Sequence, residues 1–179
     1  MNDTHRPVLY LIVCAAGPAS HVADMVRHAQ ERDWTVCVIA TPSATGFIDT
    51  TELRTLTGQP VRSNYREPGE NRRLPKADAV IVAPATYNTI NKWAHGTADN
   101  YALSTLAELV PLGVPTAVLP FVNTALAANP VFAQSIAYLR STGVQVLYGP
   151  GQVESHPPGT GGDRLATFPW HLALDTVAG

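Results

Sequence analysis

Hydrophobic positions along this chain alternate between two textures. Residues 8–14 (Val-Leu-Tyr-Leu-Ile-Val-Cys) are an unbroken apolar run, bounded by Pro7 and by Ala15-Ala16-Gly17-Pro18. A run that short and apolar on both faces predicts a strand buried from both sides. From Ala19 the spacing turns helical, with Val22, Met25, Val26 and Ala29 recurring on one face. A second apolar run, 35–40, follows Trp34, and strand, helix and strand in this order predict a right-handed βαβ unit with parallel strands. The alternation then repeats. A loop at 41–46 leads to a short helix over 49–56, with Asp49 as its N-cap. A short edge strand is expected at 60–63, an exposed polar loop rich in Pro, Gly and Arg at 64–76, and a buried strand at 79–83. Residues 88–93 and 99–109 predict one broken helix or two short ones. Residues 115–119 predict a strand, 130–141 a helix, and 144–147 a last strand. The stretch 149–162 is dense in Gly and Pro and reads as a flexible excursion, and 165–177 reads as a short docking helix. Strands and helices that alternate, with continuously apolar strands, predict an α/β fold. The expected architecture is a Rossmann-like, open, doubly wound parallel sheet of five to six strands in three α/β/α layers.

Composition narrows the function. With 179 residues the chain suits a single domain, its core at 8–147. Its 45% apolar and 15% charged residues belong to a well-buried globular protein rather than a disordered one. A formal charge of −2 without a basic block excludes a nucleic-acid footprint, and no apolar run reaches the roughly 18 residues that span a membrane. The polar start, 1–7, leads straight into a strand without the pattern of a signal peptide, so the expected compartment is the cytoplasm. Cys14 and Cys37 lie in strand-like runs and read as reduced, buried thiols. The six histidines are scattered, with no metal-ligand spacing.

In open parallel sheets, ligands bind beyond the carboxyl ends of the strands. Four loops leave those ends: Ala15-Ala16-Gly17-Pro18-Ala19-Ser20, Thr41-Pro42-Ser43-Ala44-Thr45, Pro84-Ala85-Thr86-Tyr87-Asn88-Thr89 and Pro120-Phe121-Val122-Asn123-Thr124. They hold no acid or base. They offer hydroxyls, amides and backbone N–H groups, which suit a phosphate-bearing, largely apolar cofactor better than hydrolysis. Gly17 stands alone where a dinucleotide fingerprint needs three glycines, which argues against a nicotinamide cofactor.

The segment 77–100, Ala-Asp-Ala-Val-Ile-Val-Ala-Pro-Ala-Thr-Tyr-Asn-Thr-Ile-Asn-Lys-Trp-Ala-His-Gly-Thr-Ala-Asp-Asn, resembles the flavoprotein family of FMN-dependent cysteine decarboxylases. That family includes phosphopantothenoylcysteine and lantibiotic-peptide branches. The resemblance covers roughly 8–147. It implies FMN as the cofactor, held by Gly17 and Ser20 in the first loop and by Ser43, Thr45 and Phe47 in the second. In the third loop it implies Pro84, Thr86, Asn88 and Thr89, with Lys92, Gly96, Asp99 and Asn100 continuing the match. The fourth loop resembles the family's Pro-x-Met-Asn-x-x-Met motif, so Asn123 is the expected ligand of a substrate carboxylate, with Leu126 where the second Met would stand. The nearly uncharged stretch 106–115 favours the decarboxylases over the related prenyl-flavin synthases.

The resemblance also exposes a gap. The family places a His shortly before its central strand, and here Glu70 stands near that position, with no His between His28 and His95. His21, beside the first loop, is the best substitute base. His28 is too far along its helix, and His95, His156 and His171 lie in the helix break and the tail. Arg62, Arg66, Arg72 and Arg73 with Tyr65 form a loose basic cluster that reads as a solvated loop or an anion clamp. Trp93 and Trp170 read as core or subunit contacts. Two functions stay open: oxidative decarboxylation of a peptide or small-molecule thiol (or a divergent flavin redox reaction), and an FMN-binding protein acting through partners. The resemblance implies a homotrimer or larger homo-oligomer.

Overall fold

The structure, a computed structural model, describes residues 6–65 and 74–178. Five strands, β1 (Val8–Val13), β2 (Thr35–Ala40), β3 (Ala79–Ala85), β4 (Thr116–Pro120) and β5 (Gln145–Val146), form one all-parallel sheet in the order β2-β1-β3-β4-β5. Alternate residues of each strand face opposite layers. Leu9, Leu11 and Val13 join Ile81, Ala83 and Leu119 in one core, while Tyr10, Ile12 and Cys14 join Val80, Val82 and Val118 in the other. Both faces are therefore covered, which is why these strands read as unbroken apolar runs.

Helices α1 (Val22–Glu31), α2 (Thr50–Thr57) and α7 (Trp170–Ala178) cover the first face. Helices α3 (Tyr87–Ala94), α4 (Tyr101–Leu109) and α6 (Pro130–Ser141) cover the second, with the single turn α5 (Thr124–Ala127) leading into α6. The broken helix of the sequence is thus two helices. Each has its own N-cap: the Thr86 side chain accepts from Thr89 N, and Asn100 Oδ1 accepts from Leu103 N. Asp49 caps α2 by accepting from the N–H groups of Thr51 and Glu52, both at 2.9 Å, and Gly58, at φ 66°, ends it in the left-handed conformation.

Three local expectations change. The helix expected from Ala19 begins with a 3-10 turn, Gly17–His21, and the loop after β2 is a second one, Pro42–Gly46, each with proline at its start. The edge strand expected at 60–63 contracts to a single bridge between Ile39 and Arg62, because Pro60 brings no N–H to a ladder. Of the loop at 64–76, residues 66–73 lie outside the described residues, Arg66, Glu70, Arg72 and Arg73 among them. Cys14 and Cys37 are free and buried. In the register, Cys37 pairs with Tyr10, four residues from Cys14.

Candidate functional site

In the order β2-β1-β3-β4-β5 the chain reverses direction across the sheet between β1 and β3, and a crevice opens beyond the carboxyl ends of those strands. A cleft of about 370 Å³ lies there, inside the roughly 300–1,000 Å³ range of small-molecule sites. Ala15 lines it from the end of β1, and Thr41, Pro42 and Ser43 from the turn after β2. Thr86, Asn88, Thr89 and Lys92 line it from the start of α3, and Asp99 and Asn100 from the start of α4. Two helix N-termini therefore open onto one crevice. Thr86 Oγ1 accepts from Thr89 N at 3.3 Å and donates to Thr89 Oγ1 at 3.1 Å. The earlier N–H groups of α3 have no intrahelical acceptor and give that end partial positive character. Asp99, the cleft's one carboxylate among the described residues, is ion-paired with Lys92. Among the described residues, Ser43 Oγ and the Asn88 amide make no hydrogen bond. The cleft thus presents unused hydroxyl, amide and backbone donors beside a neutralised acid, a set suited to an anionic, polyhydroxylated ligand.

Cys14, just past the end of β1, is fully buried beside Thr86 and Thr89. Burial pushes its thiol pKa up, and hydrogen bonds with Thr89 and Thr86 offset this in part. Burial alone pushes Cys37 up to about 11. Neither is poised as a thiolate.

Of the residues singled out from the sequence, Ser43, Thr86, Asn88, Thr89 and Asp99 line this cleft together. The others sit around it. Gly17 lies in the first 3-10 turn beneath Leu165, where an added Cβ would come within 2.5 Å of Leu165 Cδ2. Ser20 Oγ donates to Gly17 O at 3.0 Å, and Thr45 Oγ1 donates to Pro42 O at 2.8 Å, so each hydroxyl closes its own turn. Phe47 is exposed at the end of the second turn. Pro84, inside β3, accepts from Cys14 N at 3.1 Å. His21 lines a different groove, between α1 and the C-terminal segment, with His28, Phe168 and His171; its Nδ1 lies 3.8 Å from Asp24 Oδ2. The sequence reading passed over Ala15, Thr41 and Pro42 as ligand contacts. The exit-edge rule reaches Thr41, the first residue beyond β2, whereas Ala15 carries no chemistry to notice.

The fourth loop stands apart from this cleft. Asn123 caps α5, its Oδ1 accepting from Leu126 N at 2.9 Å, which leaves the Nδ2 end as a free donor. The Gly/Pro-rich segment returns to this loop. Thr124 N donates to His156 O at 2.8 Å and His156 N donates to Val122 O at 3.3 Å, forming a parallel bridge between Asn123 and His156. A second bridge joins Tyr148 and Val153. The His156 ring packs on Phe121 with centroids 4.6 Å apart. The 3-10 turn Gly161–Arg164 then leads to Leu165 above Gly17.

A doubly wound α/β protein with a cleft lined by hydroxyl and amide groups at its switch point is the class this geometry defines. The chain belongs to the Flavoprotein family, whose profile matches residues 1–162. A probable phosphopantothenoylcysteine decarboxylase of Streptococcus mutans is 32% identical over 145 residues, covering 78% of this chain and 80% of that protein. The coenzyme A biosynthesis bifunctional protein CoaBC of Escherichia coli K12 is 31% identical over 133 residues, 71% of this chain but 32% of its own length. Among solved structures, the FMN-dependent cysteine decarboxylase SpaF superposes with a TM-score of 0.71 at 22% identity, over 97% of this chain and 98% of its own. The epidermin biosynthesis protein EpiD of Staphylococcus aureus superposes at 0.65 with 25% identity, over 78% and 81%. The fold is thus the one expected from the alternation of strands and helices.

Proposed function

We propose that this chain binds FMN at the switch-point cleft and uses it to decarboxylate a cysteine-type substrate oxidatively. The observation that carries the reading is the convergence of Ser43, Thr86, Asn88 and Thr89 on one crevice at the α3 N-terminus. That donor set fits the phosphate and ribityl hydroxyls of FMN. The α3 N-terminus favours the phosphate charge, and Lys92 occupies the charge of Asp99 so that it is not turned on the ligand. Ser20 and Thr45 shape their turns in this reading and make no cofactor contact. Support for the chemistry comes from the relatives, whose names specify FMN-dependent cysteine decarboxylases and a phosphopantothenoylcysteine decarboxylase.

Bound there, FMN supplies a two-electron acceptor. The residues of the chain hold and orient the substrate. Asn123 is the one to position it: with Oδ1 tied to Leu126 N, its amide N–H groups are aimed to donate to a carboxylate. His21 is not part of this proposal, because it lines the groove under the C-terminal segment and not the cleft. The reading includes self-association, for which exposed Val131 and Tyr138 on α6 offer apolar side chains.

The test is a flavin titration followed by anaerobic mixing with cysteine-ended peptides and with phosphopantothenoylcysteine. Binding of FMN, bleaching of its absorbance and release of CO2 are the expected results. A chain that takes up no FMN refutes the reading. One that binds FMN but is bleached by no thiol is a binding protein instead.

A further inference from the structure

His156 sits where an ionisable group is unusual. It is 7% exposed, its ring packs on Phe121, and its Nε2 is 2.9 Å from where a Cβ on Gly161 would stand. No hydrogen bond to the ring is found among the described residues. Its backbone is bonded on both sides to the loop that carries Asn123. An imidazole covered by an aromatic ring and a glycine backbone, with no acceptor, tolerates the neutral form and disfavours the cation.

We propose that His156 is a positioning residue for Asn123: its neutral ring, seated between Phe121 and Gly161, holds the 153–165 strap against the fourth loop, and taking up a proton there frees that edge. The charges around the ring point the same way. Arg164, on the 3-10 turn packed against it, is a cation. Glu154 precedes the ring by two residues, and its carbonyl accepts from Arg164 Nη1 at 3.4 Å. Asp163 lies on the same turn as Arg164. The fourth loop, Pro120 to Thr124, and the first 3-10 turn up to Ser20 bring no charge. Burial first and Arg164 second hold the His156 pKa below its ordinary 6.5. The sign follows. The seated form binds fewer protons than the released form, so seating is favoured above pH 6.5 and weakens as pH falls through 6.5 toward the lower, seated value. At about pH 5 the released ring, with its ordinary pKa, is protonated roughly 30:1, so opening rises by up to about 30-fold. The Glu154–Leu165 stretch then loses its hold on Asn123, and Leu165 its seat over Gly17.

The proposal rests on the assignment of Asn123 to the substrate, but its test does not need turnover. Hydrogen exchange is followed by NMR on the full chain with FMN present, at about pH 7.5 and about pH 5. Rates are corrected for intrinsic exchange, and amides of β1 report global stability. The Thr124 amide, bonded to His156 O, should lose protection at the lower pH, by up to about 30-fold, while β1 does not. In His156→Phe, which keeps the aromatic packing and cannot be protonated, it should stay protected at both. With a cysteine-ended peptide, KM should rise at the lower pH in the wild type and not in His156→Phe, with kcat moving less. Thr124 protection that is independent of pH in the wild type overturns the proposal. So does a loss equal in His156→Phe, or one that only parallels β1. Failure to take up FMN refutes the functional reading instead, and leaves the exchange result to decide the latch.

Discussion

In the proposed site, Asn123 would use the two ends of one amide for two purposes. Its Oδ1 caps α5, and its Nδ2 is the donor assigned to the substrate carboxylate. The two can be separated. An aspartate caps as well as an asparagine, so Asn123→Asp should unfold in urea within about 0.5 kcal/mol of the wild type. It turns a donor into a charged acceptor facing a carboxylate, so turnover of a cysteine-ended peptide should fall at least about 100-fold, the scale of losing one preorganised donor. Asn123→Ala loses the cap too and should cost about 1 kcal/mol more. Initial rates and denaturation midpoints measured on the same preparations check both. Equal activity of Asn123→Asp and wild type removes Asn123 from the site. At this scale the sequence was legible as to which side chains share one crevice, because each of Ser43, Thr86, Asn88 and Thr89 follows the end of a strand. For Ser20 and Thr45 the sequence did not show that each hydroxyl donates to a carbonyl three residues back, because a turn's closure is not written in residue type. Nor could it show His21 turned to the far side of the first turn, since that depends on where α7 docks.

At the scale of elements, α7 decides how well the first face is closed. Leu174 and Ala173 are fully buried against β3 and β4, with Trp170 beside Phe168. The same helix carries Asp175, ion-paired with Arg32 at 2.6 Å and half exposed. Burial should outweigh charge here. Leu174→Ala should cost about 2–5 kcal/mol through lost contacts and a cavity, whereas Asp175→Ala should cost less than about 1 kcal/mol. Urea midpoints measure the difference, and equal costs would mean that α7 is only loosely docked. A short helix was expected over 165–177 and forms at Trp170–Ala178, and Asp49 as the cap of α2 and the buried strands were legible because capping and periodicity are local. Composition could not foresee what ties down the segment 149–164. Gly and Pro report a backbone free to turn, and the two bridges that hold it, Tyr148 with Val153 and Asn123 with His156, include one pairing of residues far apart in sequence. The edge strand at 60–63 failed for the complementary reason: its apolar residues were present, but Pro60 cannot extend a ladder beyond the Ile39–Arg62 bridge.

Across the whole molecule, topology is what assembles the site. Residues 15, 41–43, 86, 88, 89, 92 and 99–100 come from four connections, and they meet because the sheet reverses its order between β1 and β3. A ligand that ties those connections together stabilises the folded state alone, by RT ln(1 + [L]/Kd), or about 2.7 kcal/mol at a hundredfold excess over Kd. For a chain of this length each kcal/mol moves Tm by roughly 2–4 °C, so FMN at that excess should raise Tm by roughly 5–10 °C. Riboflavin separates the contributions of the two parts of the ligand. It keeps the ring and ribityl chain but lacks the phosphate that the α3 N-terminus would hold. At the same concentration it should bind more weakly and shift Tm less. Salt should narrow the gap between the two ligands, because the phosphate term is electrostatic and the cleft is open to solvent. Identical shifts for FMN and riboflavin, followed by calorimetry at matched concentrations, would mean that the start of α3 holds no phosphate, and the cleft between β1 and β3 would lose the feature on which its assignment to FMN stands.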